Sequence, residues 1–177
     1  IGPAVSPFNA FLLIQGIETL SLRMDRHVQN AQAVAEYLEG HDQVESVAYS
    51  GLPSSKWYER AQQYAPKGVS SVPAFIIKGG LEAGRRFVEA LELHSHLANI
   101  GDVRSLVIHP ASTTHSQLTE AQQIAAGAGP DLVRLSIGIE NPEDIIADLD
   151  RALRQTGRNW EIELLRDGRR NWLRFRL

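Results

Sequence analysis

The sequence contains no cysteine, one methionine (Met24) and only three lysines, Lys56, Lys67 and Lys78, in 177 residues. Without cysteine there is no disulfide framework, no thiolate nucleophile and no Cys-ligated zinc, and the reducing cytoplasm is the expected compartment. No apolar run approaches the roughly 18 residues of a membrane span, and no signal-peptide layout opens the chain, so no membrane partner is expected. The HExxH, GxSxG and GxGxxG patterns are missing as well, which removes the commonest sequence signatures of zinc hydrolysis, serine hydrolysis and dinucleotide binding. Because Met24 is the only methionine, Ile1 is not an initiator, and the sequence is expected to be a truncated or processed piece of something longer.

What is present describes an ordinary globular chain. Apolar residues make up 43%, enough for one core and a small appendage. The charge is uneven. Residues 154–177 hold seven arginines against Glu161, Glu163 and Asp167, a balance of +4, whereas the remainder carries −7. The tail is thus compositionally foreign to the rest.

Apolar periodicity outlines alternating helices and strands. Ser6-Pro7 is a helix start, and Phe11, Ile14, Ile17, Leu20, Met24, Val28, Ala31, Val34 and Leu38 form a stripe at spacings of three and four. This predicts one long helix, or two in succession, over 6–39, facing a core and stopped at Gly40. Strands are expected at 44–53 and 71–78, with Pro73 marking an edge or the start of a strand. Helices are expected at 55–65 and 81–92, and short strands around 96–100 and 104–108. A helix from Thr119, a strand over 131–140 and a helix from Asn141-Pro142 complete the order. The result is a small sheet with helices packed on it, and no internal repeat is evident.

The stretch ANIGDVRSLVIHPASTTHSQL, residues 98–118, crowds His109, Ser112, Thr113, Thr114, His115 and Ser116 into eight positions. None of these completes a three-ligand metal set, and hydroxyls in a loop are more often turn caps than nucleophiles, so no metal site and no self-contained catalytic residue is expected. Arg134 stands out because it interrupts an otherwise apolar strand, DLVRLSIGIE. A guanidinium so placed needs either an internal carboxylate or an anionic ligand, and the residues alone leave both open.

Taken in order, SPFNAFLLIQGIETLSLRMDRHVQNAQAVAEYL, KGGLEAGRRFVEALELHSHLANIGDVRSLVIHPASTTHSQLT and DLVRLSIGIENPEDIIADLDRAL resemble the C-terminal portion of the Cys/Met-metabolism family of pyridoxal-phosphate enzymes. The nearest branch is O-acetylhomoserine sulfhydrylase. Cystathionine γ-synthase and methionine γ-lyase are its alternatives within the family, and a stand-alone, non-catalytic interaction domain is the alternative outside it. The resemblance implies an α/β fold of the α+β two-layer kind: the small C-terminal domain of a fold-type I, aspartate-aminotransferase-like subunit. In such a domain a mostly antiparallel sheet carries helices on one face. Residues 1–153 would form this domain, beginning with the long interdomain helix.

The same resemblance implies that Arg134 grips the substrate α-carboxylate and that Asn99 and Ile100 line the same group. Asn99 stands where lyase and synthase relatives commonly have serine, which favours the sulfhydrylase branch. Thr114 would border the pocket. The family's Schiff-base lysine, and with it the principal pyridoxal-phosphate ligands, are expected upstream of Ile1, so no cofactor-binding residue is assigned here and the chain alone is expected to be inactive. The implied partners are the missing cofactor domain, neighbouring subunits of a tetrameric homo-oligomer and an amino-acid substrate. The parent reaction would replace the acetate of O-acetylhomoserine by sulfide or methanethiol, with the cofactor carrying the bond-breaking chemistry. Residues 154–177 depart from the family. Alternation in Trp160, Ile162, Leu164 and in Leu173, Phe175, Leu177 around Asp167-Gly168 reads as a β-hairpin, an extension after a frame disruption reads equally well, and a basic tail touching an anionic surface or nucleic acid ranks lowest.

Overall fold

The computed structural model describes residues 4–156 and the backbone of 159–166 and 169–176. Two consecutive helices open it, α1 (Pro7–Glu18) and α2 (Leu20–Glu39), separated at Thr19. Ser6 is extended, its Oγ accepts the Asn9 N–H at 3.2 Å, and Pro7 occupies the first turn, where its missing N–H costs nothing. From Ala31 onward the expected stripe is buried, at Ala31, Val34 and Leu38, with Val28 half-buried and His27 and Ala35 buried alongside. Its upstream half is not. Phe11, Ile14, Ile17, Leu20 and Met24 all face solvent, and α1 buries no residue. Periodicity identifies a face but does not supply what covers it.

The remaining helices are α3 (Tyr58–Tyr64), α4 (Gly80–Ala90), α5 (Glu120–Ala125) and α6 (Pro142–Thr156). Strands β1 (Val44–Ala48), β2 (Ala74–Ile77), β3 (Ser95–His96), β4 (Leu106–Ile108) and β5 (Leu132–Ser136) form one sheet in the order β1-β2-β5-β4-β3. The β1–β2, β2–β5 and β4–β5 pairs are antiparallel and β3–β4 is parallel. The core lies on one sheet face. Phe75, Ile77, Val107, Val133 and Leu135 meet Ala31, Val34 and Leu38 of α2, Ala83 and Phe87 of α4, and Ile145, Leu149 and Leu153 of α6. Phe75 and Phe87 pack edge to face at 5.4 Å, the arrangement their ring quadrupoles prefer. This is the expected two-layer α/β domain with a mostly antiparallel sheet.

Of the two readings of Pro73, the start of a strand holds and the edge does not, because β2 begins at Ala74 and lies inside the sheet between β1 and β5. The Pro73 carbonyl still accepts the Leu135 N–H at 2.9 Å. The strand expected around 96–100 ends at His96, because Asn99 Oδ1 folds back onto the Ile100 N–H (2.9 Å) and Gly101 adopts φ +77°, a turn conformation that glycine takes without strain. Thr119 caps α5 as anticipated, in a capping box with Gln122. In the tail, β6 (Asn159–Arg166) pairs antiparallel with β7 (Arg169–Arg176), Arg166 opposite Arg169, while the Asp167-Gly168 turn signal lies outside the described residues. No helix among the described residues is long and apolar enough to cross a membrane.

Candidate functional site

Arg134 sits in the middle of β5, flanked across the ladder by Ala74 of β2 and Ile108 of β4. Its neighbours Val133 and Leu135 point into the core, so the period of two puts Arg134 and Ser136 on the opposite face. There the side chain is half-buried, and among the described residues no carboxylate lies within ion-pair distance of it. Among the described residues, therefore, the internal salt bridge that would have explained this arginine is not formed. A guanidinium held on a rigid central strand, partly desolvated and without an acidic partner, is suited to an external carboxylate, which it can grip through two parallel N–H bonds.

The loop bearing Asn99 and Ile100 is tied to the outgoing end of the same strand. The Gly101 N–H donates to Ser136 Oγ (3.3 Å), and the Ile139 N–H donates to the Val103 carbonyl (2.9 Å). Glu140 clamps Ser105 from both sides: Oε1 accepts the Ser105 N–H at 2.6 Å and Oε2 accepts the Ser105 hydroxyl at 3.0 Å. Ser105 Oγ in turn accepts the Gly138 N–H at 2.9 Å. Helix α2 holds this exit from behind, with His27 Nδ1 donating to the Ile137 carbonyl (2.6 Å) and Asn30 Nδ2 donating to the carbonyls of Gly138 and Glu140. Loop and guanidinium are thus referenced to one frame. Ser105, Ser136 and Glu140 were not anticipated as supports. Only Ser136 carries a signal, lying two positions from Arg134 on the same strand face.

Asn99 and Ile100 themselves are exposed, the latter by 61%, and Asn99 Oδ1 is engaged by the Ile100 N–H. A pocket of about 440 Å³ lies beside them, lined by His96 at the end of β3, Leu97, Ala98, Ile108, Thr113 and Thr114. Of the four residues expected at the site, only Thr114 lines this pocket, and Ile108 connects it to Arg134 across the ladder. Thr114 Oγ1 lies 2.9 Å from His115 Nδ1. His109 is fully buried, with Nε2 2.8 Å from the Pro130 carbonyl and Nδ1 2.8 Å from Ser112 Oγ. Burial, opposed by the bond to Pro130 and reinforced by the charges of Arg85 and His96, holds its pKa below the ordinary histidine value. It is a neutral structural histidine.

The cofactor named by the resemblance is bound through a lysine, and the lysines here do not fit that role. All three are exposed and none lines this pocket. Lys56 lies over the Trp57 ring at 5.1 Å, and Lys78 Nζ donates to the Asp42 carbonyl at 2.7 Å. What the described residues offer is one wall, carrying a cation and polar loop atoms, with no group that would attach the cofactor.

Comparison with known proteins agrees with this reading of an incomplete site. The family described as Cys/Met metabolism PLP-dependent enzyme matches residues 1–154. The chain is 54% identical to an O-acetyl-L-homoserine sulfhydrylase of Leptospira meyeri over 87% of its own length and 35% of that protein's. It is 52% identical to a homocysteine synthase of Schizosaccharomyces pombe over 86% of its length and 36% of the other's. A solved structure from Campylobacter jejuni, attributed to an O-acetylhomoserine (thiol)-lyase and carrying N'-pyridoxyl-lysine-5'-monophosphate, superposes with a TM-score of 0.78 at 42% identity, covering 86% of this chain and 36% of that one. The chain thus spans about 35% of the length of the relatives it matches. It belongs to the Cys/Met metabolism family of PLP-dependent enzymes.

Proposed function

We propose that this chain is the C-terminal, substrate-carboxylate-binding portion of an O-acetylhomoserine sulfhydrylase, a cytoplasmic transferase that replaces the acetate of O-acetylhomoserine by sulfide or methanethiol. Residues 1–153 form the domain and 154–177 an extension outside the family pattern. The observation that carries the reading is Arg134, a half-buried guanidinium on a central strand with no acidic partner among the described residues. Its task is positioning. By fixing the α-carboxylate through two parallel bonds it orients the amino acid and removes rotational freedom before any bond changes, an entropic contribution to rate. Asn99 and Ile100 bound the carboxylate from the loop that Ser136 and Glu140 hold in register, and Thr114 borders the pocket.

The cofactor and its lysine belong to the part of the protein that this chain does not span, and neighbouring subunits of a homo-oligomer complete the site. The bare apolar surface of α1 supports that arrangement. Phe8, Phe11, Leu12, Leu13, Ile14 and Ile17 are each more than half exposed, far more than a helix of a finished soluble domain leaves uncovered.

The test is a chimera in which residues 1–153 replace the matching segment of the Leptospira meyeri relative. Formation of homocysteine from O-acetylhomoserine and sulfide is expected. A chimera that folds and binds pyridoxal phosphate but makes no homocysteine would refute the assignment.

A further inference from the structure

A second groove, of about 410 Å³, adjoins the pocket described above and shares His96 and Thr113 with it. It contains none of Arg134, Asn99, Ile100 or Thr114. One wall is α4, which presents the exposed Leu81, Arg85 and Glu89 together with Val88, a residue of the buried core. The other wall is His96 with Ser112 and Thr113 of the turn after β4.

The polarity of the second wall is set by what lies beneath it. His109 Nε2 faces the Pro130 carbonyl, which can only accept, so the ring proton is on Nε2 and Nδ1 is an acceptor. Ser112, 2.8 Å from that Nδ1, therefore donates inward. Thr113 likewise spends its hydroxyl proton inward, on the His109 carbonyl at 2.8 Å. Each hydroxyl has one proton, so both oxygens have only acceptor lone pairs left for the groove. Glu89 adds a carboxylate to this acceptor set. Arg85, with His96 beside it, makes the opposing donor end. Arg85 and Glu89 are four residues apart, the spacing at which they could neutralise each other, yet they form no ion pair. Leu81, 40% exposed, supplies the apolar surface of the groove, while Val88 belongs to the buried core.

A donor end, an acceptor end and an apolar strip within one small groove match a particular ligand chemistry: carboxylate, ammonium and aliphatic side chain on one carbon. We infer that this groove binds a free zwitterionic α-amino acid with an apolar side chain. The carboxylate lies on Arg85, the ammonium is shared by Glu89 and the Ser112 and Thr113 hydroxyl oxygens, and the side chain lies along Leu81. The groove adjoins the first pocket but uses none of the four residues assigned there, and the inference does not depend on the function proposed for Arg134.

The probe is L-leucine titrated into the 177-residue chain and followed through backbone amide resonances. Its controls are 4-methylpentanoate, which lacks the amine, and 3-methylbutylamine, which lacks the carboxylate. Saturable shifts are expected at Arg85, Ser112 and Thr113, with either half-analogue at least about tenfold weaker, because each loses its charge-assisted bonds. Arg85→Gln and Glu89→Gln should each weaken leucine binding by a similar factor, while Arg134→Ala leaves it unchanged. Three results would overturn the inference: no saturation with leucine, equal binding of 4-methylpentanoate, or binding lost in Arg134→Ala but kept in Arg85→Gln, which would put the ligand on the first site.

Discussion

Asp148 offers the sharpest test of how the domain is held together. Its side chain, 5% exposed, projects from α6 and accepts the backbone N–H groups of Glu92 (2.9 Å), Leu93 (3.1 Å) and His94 (3.2 Å). It also takes His94 Nδ1 at 2.8 Å and a guanidinium bond from Arg151. One carboxylate therefore fastens the chain between α4 and β3 to α6. Asp148→Ala strands three backbone donors and a buried imidazole. Each buried donor left unsatisfied costs on the order of 1–3 kcal/mol, though water will recover part of this at the rim, so a total loss of about 3–5 kcal/mol is expected. Asp148→Asn keeps one acceptor oxygen and should cost about 1–2 kcal/mol.

Urea denaturation measures this as a fall in midpoint at constant slope. The pH dependence follows from the carboxyl pKa. Burial alone would raise it, but the bonds from His94 and the Glu92 and His94 amides outweigh burial and hold it well below its ordinary value of 3.8. A depressed folded pKa means the stabilisation is fully present above the unfolded value and is lost as pH falls through it toward the folded one. The gap between the wild-type chain and Asp148→Asn should therefore be constant from neutral pH to about pH 5 and close as acid is added below that. An Asp148→Ala loss under about 1 kcal/mol, or an Asn variant as damaged as the Ala variant, would refute the reasoning.

Three other outcomes can be checked on the same preparations. A Cβ at Gly84 would lie 2.5 Å from His109 Nε2, an atom that cannot retreat without breaking its bond to Pro130, so Gly84→Ala should lower stability by about 1–3 kcal/mol in thermal or urea unfolding. His109 titrates in the opposite chemical sense to Asp148 but with the same slope. Its lowered folded pKa makes the chain lose stability as pH falls from its ordinary 6.5 toward that value, and His109→Gln should flatten the melting-temperature profile in this window. Leu13→Glu on α1 should change the stability of the isolated chain by no more than about 0.5 kcal/mol, since the side chain is solvent-exposed, yet should impair cofactor binding or assembly in the chimera, read by gel filtration and absorbance.

The elements that could be read from the sequence are those whose signals are local. Thr119, Asn141-Pro142 and Ser6-Pro7 start helices through caps within a few residues, and the apolar run interrupted by Arg134 is the strand β5. What could not be read depends on distant or absent neighbours. The apolar stripe of α1 looks like a core face, but nothing in the described chain covers it. The strand expected around 96–100 is cut short by a side-chain-to-backbone bond at Asn99 and by the turn at Gly101. Glu140 reaches Ser105 across 35 positions, and no spacing rule announces such a clamp. The groove on α4 was missed for a similar reason: its acceptor wall exists only because His109 draws the Ser112 and Thr113 protons inward.

The central claim, that Arg134 holds the substrate carboxylate, is tested most directly by Arg134→Ala in the chimera with the Leptospira meyeri relative. Losing two charge-assisted bonds worth about 3 kcal/mol together should raise the KM for O-acetylhomoserine roughly a hundredfold, with the absorbance of the bound cofactor unchanged. Arg134→Lys should restore only part of the loss, because an ammonium cannot make the paired contact. A KM within about threefold of the parent chimera would contradict the account.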